Sequence, residues 1–121
     1  MNHLRNLHQI NVFGEDIPDP FEQFNRITTS YKIPKQLMKN LDAFKFQEPT
    51  GVQMQAIPVM LNQRELLVCA PTGSGKTISY LFPLIANLRI HKKKGGIKAV
   101  IISPTRELAR QVCSFIFYFI A

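Results

Sequence analysis

The sequence predicts an α/β fold that opens as a doubly wound parallel sheet, and three observations predict it. Two short apolar runs, "ELLVCA" (Glu65–Ala70) and "AVIIS" (Ala99–Ser103), read as strands covered on both faces. A helical stretch separates them and another follows, so strand, helix and strand make a parallel pair with a right-handed crossover. Between the first strand and its helix lies "PTGSGKT", a glycine-rich loop at a strand's carboxyl end, where such sheets hold ligands.

Each element has its own warrant. Residues 1–20 are polar with scattered apolar positions and end in Pro18-Asp19-Pro20, which disfavours helix and marks an extended, flexible arm. Residues 21–62 carry two helices. The first starts at Pro34, with Ile33, Leu37, Leu41 and Phe44 at helical spacing. The second follows the "FQEP" break: Thr50 caps it, Gln53 completes a capping box, and Val52, Ile57, Met60 and Leu61 supply its apolar side to about Asn62. Residues 63–121 hold the sheet unit. Its first helix runs from Lys76 to about Ile90, bent where Pro83 removes a backbone donor. "HKKKGGIK" ends it, and Lys92-Lys93-Lys94 reads as a solvated loop tip rather than a nucleic-acid contact. Pro104-Thr105 opens the last helix, with Leu108, Val112, Phe115 and Phe119 along one stripe. The order is therefore helix, helix, strand, helix, strand, helix.

A chain of 121 residues is one domain at most, and 45% hydrophobic residues are enough for a core. Fifteen Lys and Arg against eight Asp and Glu leave a charge of +7, which favours a polyanion without requiring one. Cys69 and Cys113 have neither disulfide nor zinc spacing, so a reducing compartment is expected. No apolar run approaches the roughly 18 residues of a membrane span, and the N-terminus lacks a signal-peptide profile.

The loop carries the chemistry. Thr72-Gly73-Ser74-Gly75-Lys76-Thr77 lets successive amides curl inward at a helix N-terminus, whose dipole favours an anion. Lys76 would reach the β- and γ-phosphates and the Thr77 hydroxyl a Mg²⁺ ion. The competing reading is a glycine-rich turn with an exposed lysine, against which stands the phasing of Gly-Lys-Thr between strand and helix. Ala70 replaces the first glycine of the general pattern, and alanine still permits a compact strand exit; Ala70 and Pro71 count with Thr72–Thr77 as nucleotide-binding positions.

In that form, "APTGSGKT" resembles motif I of the DEAD-box ATP-dependent RNA helicases; "FQEPTGVQMQAIP" resembles their Q motif and "SPTRELA" their motif Ia, in the family's order and spacing. The resemblance runs from about Phe24 to Gln111. "VFGEDIPDPFEQF" and "MQAIPVMLNQRELL" are similar to the nucleolar helicase 52 type, which works in small-subunit ribosome assembly. It implies a partial RecA-like domain, ATP and Mg²⁺ as cofactors, RNA (pre-ribosomal RNA in that subgroup) as partner with assembly factors nearby, a monomer, no membrane, and residence in the nucleus and nucleolus.

The resemblance also assigns residues. Gln53 would pair with the adenine edge, its amide offering a donor and an acceptor, whereas the residues alone favour the capping role. Phe24 would stack on the base for about 1 kcal/mol, or else be a core phenylalanine. Pro104, Thr105 and Arg106 would hold the RNA backbone without reading bases; alternatively Thr105 is a helix cap and Arg106 a surface residue. Lys45, Gly51 and Ser79 depart from the family's glycine, proline and alanine. No Asp-Glu-Ala-Asp, Ser-Ala-Thr motif or arginine finger occurs in the 121 residues, and "CSFIFYFIA" is more apolar than a surface helix, so the sequence reads as a fragment without hydrolytic activity of its own. Two other readings stay open: a non-enzymatic ATP- or RNA-binding fragment, and a P-loop ATPase acting on DNA or protein.

Overall fold

The computed structural model describes residues 2–43, 48–90 and 94–120. The expected places of Phe44, Lys45, Phe46, Lys92 and Lys93 lie outside them. Among the described residues the elements are α1 (Asn2–Leu7), α2 (Phe24–Ser30), α3 (Lys35–Ala43), α4 (Gly51–Leu61), α5 (Lys76–Ile90) and α6 (Arg106–Ile120).

Four of these stand where apolar spacing and caps place them. α3 follows Pro34 and buries Leu37 and Leu41. α4 begins at the Thr50 capping box, which forms in full: the Thr50 hydroxyl accepts from the Gln53 amide and the Gln53 side chain accepts from the Thr50 amide. The helices α1 and α2 were not expected. "FNRITTS" is rich in β-branched residues and its N-cap, Gln23, makes no side-chain cap bond, so α2 has little local signal; burial of Phe24 and Ile27 holds it. Residues 2–20, expected as a flexible arm, include α1 and lie along α4.

The core joins five helices: Phe24 and Ile27 of α2, Leu37 and Leu41 of α3, Ile57 of α4, Ile78, Phe82, Ile85 and Ala86 of α5, and Phe119 of α6. α4 is packed along α5, and α3 meets α6. Every residue of α4 from Gln53 to Val59 is buried, the two glutamines among them with their amides hydrogen-bonded. The apolar end of α6 is more engaged than its sequence predicts: Phe119 is wholly buried and Phe115 packs against the core, while Phe117, Tyr118 and Ile120 are exposed. The last carbonyls of α6 are held by Asn40 Nδ2 on Phe119 O (2.6 Å) and Arg89 Nη2 on Ile120 O (3.1 Å).

The expected parallel pair is not formed. Glu65–Ala70 and Ala99–Ser103 occupy the predicted places in the order, yet no strand is present among the described residues and no backbone bond joins the two segments. A strand exists only through a neighbour's ladder, and neither run has one among the described residues. Leu67 and Ile102 accordingly stand 92% and 91% exposed. No helix among the described residues is long and apolar enough to cross a membrane.

Candidate phosphate-binding site

The loop between Ala70 and α5 is built by its glycines and by α4. Gly73 and Gly75 have φ of 81° and 80°, the left-handed region open to glycine at little cost. Ser74 closes a turn, its amide and hydroxyl both donating to Pro71 O at 3.2 and 2.6 Å. Behind the loop, the Thr50 hydroxyl donates to Ser74 O (2.6 Å) and Gln53 Nε2 donates to Gly75 O (3.1 Å). Lys76 Nζ donates to Ala70 O (2.7 Å), and the Ser79 amide returns to Gly75 O (3.2 Å).

These bonds have one electrostatic result. The carbonyls of Ala70, Pro71, Ser74 and Gly75 all accept within the protein, so these four negative ends are engaged and oppose an approaching anion less. The exposed Lys76 and the start of a 15-residue helix add positive charge at the same place. This donor set fits a polyphosphate.

The other predicted residues are placed as follows. Gln53 is 1% exposed, with its amide divided between the capping box and the loop. Thr77 is half-buried near Tyr80, whose phenol burial pushes above its ordinary 10.0. Ser79 is buried, and its hydroxyl donates to Lys76 O, which accounts for a serine where the family's alanine is common. Phe24 is 6% exposed and packs in the core, the alternative weighed against stacking; Phe21 lies tilted beside it, centroids 5.6 Å apart. Pro104, Thr105 and Arg106 are exposed, and Thr105 Oγ1 caps α6 by accepting from the Leu108 amide at 3.2 Å. No hydrogen bond among the described residues links them to the loop. Likewise, no group of three His, Cys, Asp or Glu side chains capable of holding a metal is present among the described residues.

A model of the DEAD/DEAH box helicases matches residues 50–120, from the capping threonine to the end of α6. The chain belongs to this family. Relatives with similar sequence include the probable ATP-dependent RNA helicase DDX52 of Bos taurus, 51% identical over 93% of this chain and 19% of its own length. The ATP-dependent RNA helicase ROK1 of Vanderwaltozyma polyspora is 49% identical over 90% of this chain and 19% of its own. The chain thus spans about a fifth of the curated relatives it matches. Among solved structures, a DEAD box protein of Methanococcus jannaschii covers 83% of this chain and 26% of its own (TM-score 0.69, 36% identity). The yeast DEAD-box splicing factor Prp28 covers 98% and 28% (TM-score 0.83, 26% identity). The chain therefore has the fold of part of a DEAD-box, RecA-like helicase domain. DEAD-box membership accounts for the loop's Ala-x-Thr-Gly-x-Gly-Lys-Thr form. The link from Thr50 to Ser74 carries no motif signal beyond a capping threonine; sequence alone offered no reason to aim that hydroxyl at the loop.

Proposed function

We propose that this chain is the ATP-binding portion of an ATP-dependent RNA helicase of the DEAD-box type that works on pre-ribosomal RNA. The observation that carries the reading is the brace behind the loop: Thr50 and Gln53 hold the carbonyls of Ser74 and Gly75, leaving amides and Lys76 to face an anion. In the complete domain, Glu65–Ala70 and Ala99–Ser103 are strands of a doubly wound parallel sheet, each paired with strands outside this chain.

ATP with Mg²⁺ supplies the phosphoanhydride whose cleavage drives the cycle. Lys76 exchanges its bond to the Ala70 carbonyl for the terminal phosphates, and the Thr77 hydroxyl would ligate the cation. Pairing with the adenine edge requires that the buried Gln53 amide be uncovered; its second N–H and second lone pair would then select adenine over guanine. At the start of α6, Arg106 and the first helical amides hold the RNA backbone without reading sequence. Hydrolysis belongs to the full-length protein, with the carboxylates and arginine that the 121 residues lack. A monomer in the nucleolus, among assembly factors, fits this role.

The experiment is RNA-stimulated ATP hydrolysis by the full-length protein. RNA is expected to raise the rate, Lys76→Ala to abolish it, and Gln53→Ala to erase the preference for ATP over GTP. Hydrolysis indifferent to RNA contradicts the reading.

A further inference from the structure

The N-terminal arm is bonded to α4 through contacts that no nucleotide-site motif explains. Gln55 is 7% exposed. Its Oε1 accepts from Arg5 Nε at 2.8 Å, its Nε2 donates to Pro18 O at 2.8 Å, and Arg5 Nη2 donates to the same carbonyl at 3.3 Å. The three groups form a closed network that satisfies a buried amide. Farther along, the Arg64 guanidinium donates to the carbonyls of Glu15 (2.7 Å) and Asp16.

Two backbone features of α4 complete the attachment. Pro58 has no N–H, so the carbonyl one turn earlier, Met54 O, lacks its helical donor. The Phe21 amide fills that vacancy at 3.2 Å. At the start of the helix, a Cβ on Gly51 would lie 3.3 Å from His8 O and 3.5 Å from Ile10 Cγ1. A side chain at this position would press on the arm by a few tenths of an ångström, which glycine avoids.

The arm thus bonds α4 at residues 54 and 55 and passes close by Gly51, and the same two turns grip the phosphate loop at residues 50 and 53. We infer that residues 2–21 are a strap that positions the phosphate loop through α4, with Arg5 a positioning residue acting through Gln55. The inference rests on the reading that the loop binds Mg·ATP. Without the strap, the first turns of α4 lose their outer support, and Thr50 and Gln53 no longer hold the Ser74 and Gly75 carbonyls in one geometry. Linkage makes the effect reciprocal: whatever nucleotide affinity gains from a docked strap, strap docking gains from bound nucleotide.

The test uses the full-length protein and two variants, Arg5→Ala and Gln55→Met, the second close to glutamine in volume but unable to bond either strap partner. Mg·ATP affinity, read by titration with a fluorescent analogue, is expected to fall about tenfold in each. The double variant should be no weaker than the worse single, because both break one network. Hydrogen exchange at the Phe21 amide should slow about tenfold when Mg·ATP binds the parent, and should not respond in Arg5→Ala. Affinities within twofold of the parent overturn the inference, as does Phe21 exchange indifferent to bound nucleotide. A lowered unfolding midpoint with unchanged affinity also overturns it, for the strap would then be support alone. If Gln55→Met does not fold, Arg5→Ala decides. If the parent takes up no Mg·ATP, the proposed function fails and this inference with it, an outcome read before any variant is made.

Discussion

Gly75 is where the loop, the capping box and α5 meet. Its φ of 80° suits glycine, and a Cβ there would stand 2.4 Å from Gln53 Nε2 and 3.2 Å from Thr50 Oγ1. Gly75→Ala therefore strains the backbone by about 1–3 kcal/mol and displaces the amide that holds the Gly75 carbonyl. A drop of that size in unfolding free energy, with loss of nucleotide binding, is the expected outcome in denaturant titration and ligand titration. By contrast, Gly73→Ala meets no atom within 4 Å and carries the φ strain alone. The pair of variants separates strain from collision: a Gly73→Ala protein as damaged as Gly75→Ala contradicts the role given to Gln53.

At the scale of elements, α6 ties the end of the chain to α3 and α5. Phe119 is wholly buried, and the carbonyls of Phe119 and Ile120 are held by Asn40 and Arg89. Phe119→Ala is expected to cost about 3–5 kcal/mol, measured as a shift in the denaturant midpoint at unchanged slope. α3 to α6 were legible in the sequence because their signals are local: a first-turn proline, a capping box, a glycine-rich loop exit and a stripe ending at Phe119. α2 was not, since Ile27, Thr28 and Thr29 argue against a helix that only the core at Phe24 and Ile27 sustains. In the site, the loop was legible from its glycines and lysine, and so was the Thr50–Gln53 box. The strap was not. It depends on a carbonyl freed by Pro58 and on side chains some fifty residues apart in sequence, Arg5 and Gln55, which no local pattern couples.

At the scale of the whole molecule, helices surround a core on one side while the two would-be strands face solvent. Leu67, Val100 and Ile102 are exposed apolar residues on these unladdered segments, and Ile97 is exposed just before the second. Such edges are templates for pairing with other chains. The 121-residue chain is therefore expected to self-associate, with mass rising above 13.8 kDa as concentration increases in light scattering. Its charge of +7 slows this by repulsion without providing the missing ladder. A concentration-independent monomer contradicts the view that these segments need neighbours. Association of this kind also sets the conditions for work on the loop, which calls for the full-length protein.

Nucleotide binding turns on the loop's donors and the Lys76 ammonium, and titration of the full-length protein with Mg·ATP, beside Lys76→Ala, tests them most directly. Saturable uptake by the parent and an affinity at least tenfold lower in the variant are expected, since a charge-assisted bond contributes about 1.5–3 kcal/mol. No uptake by the parent, or equal uptake by both proteins, contradicts the account.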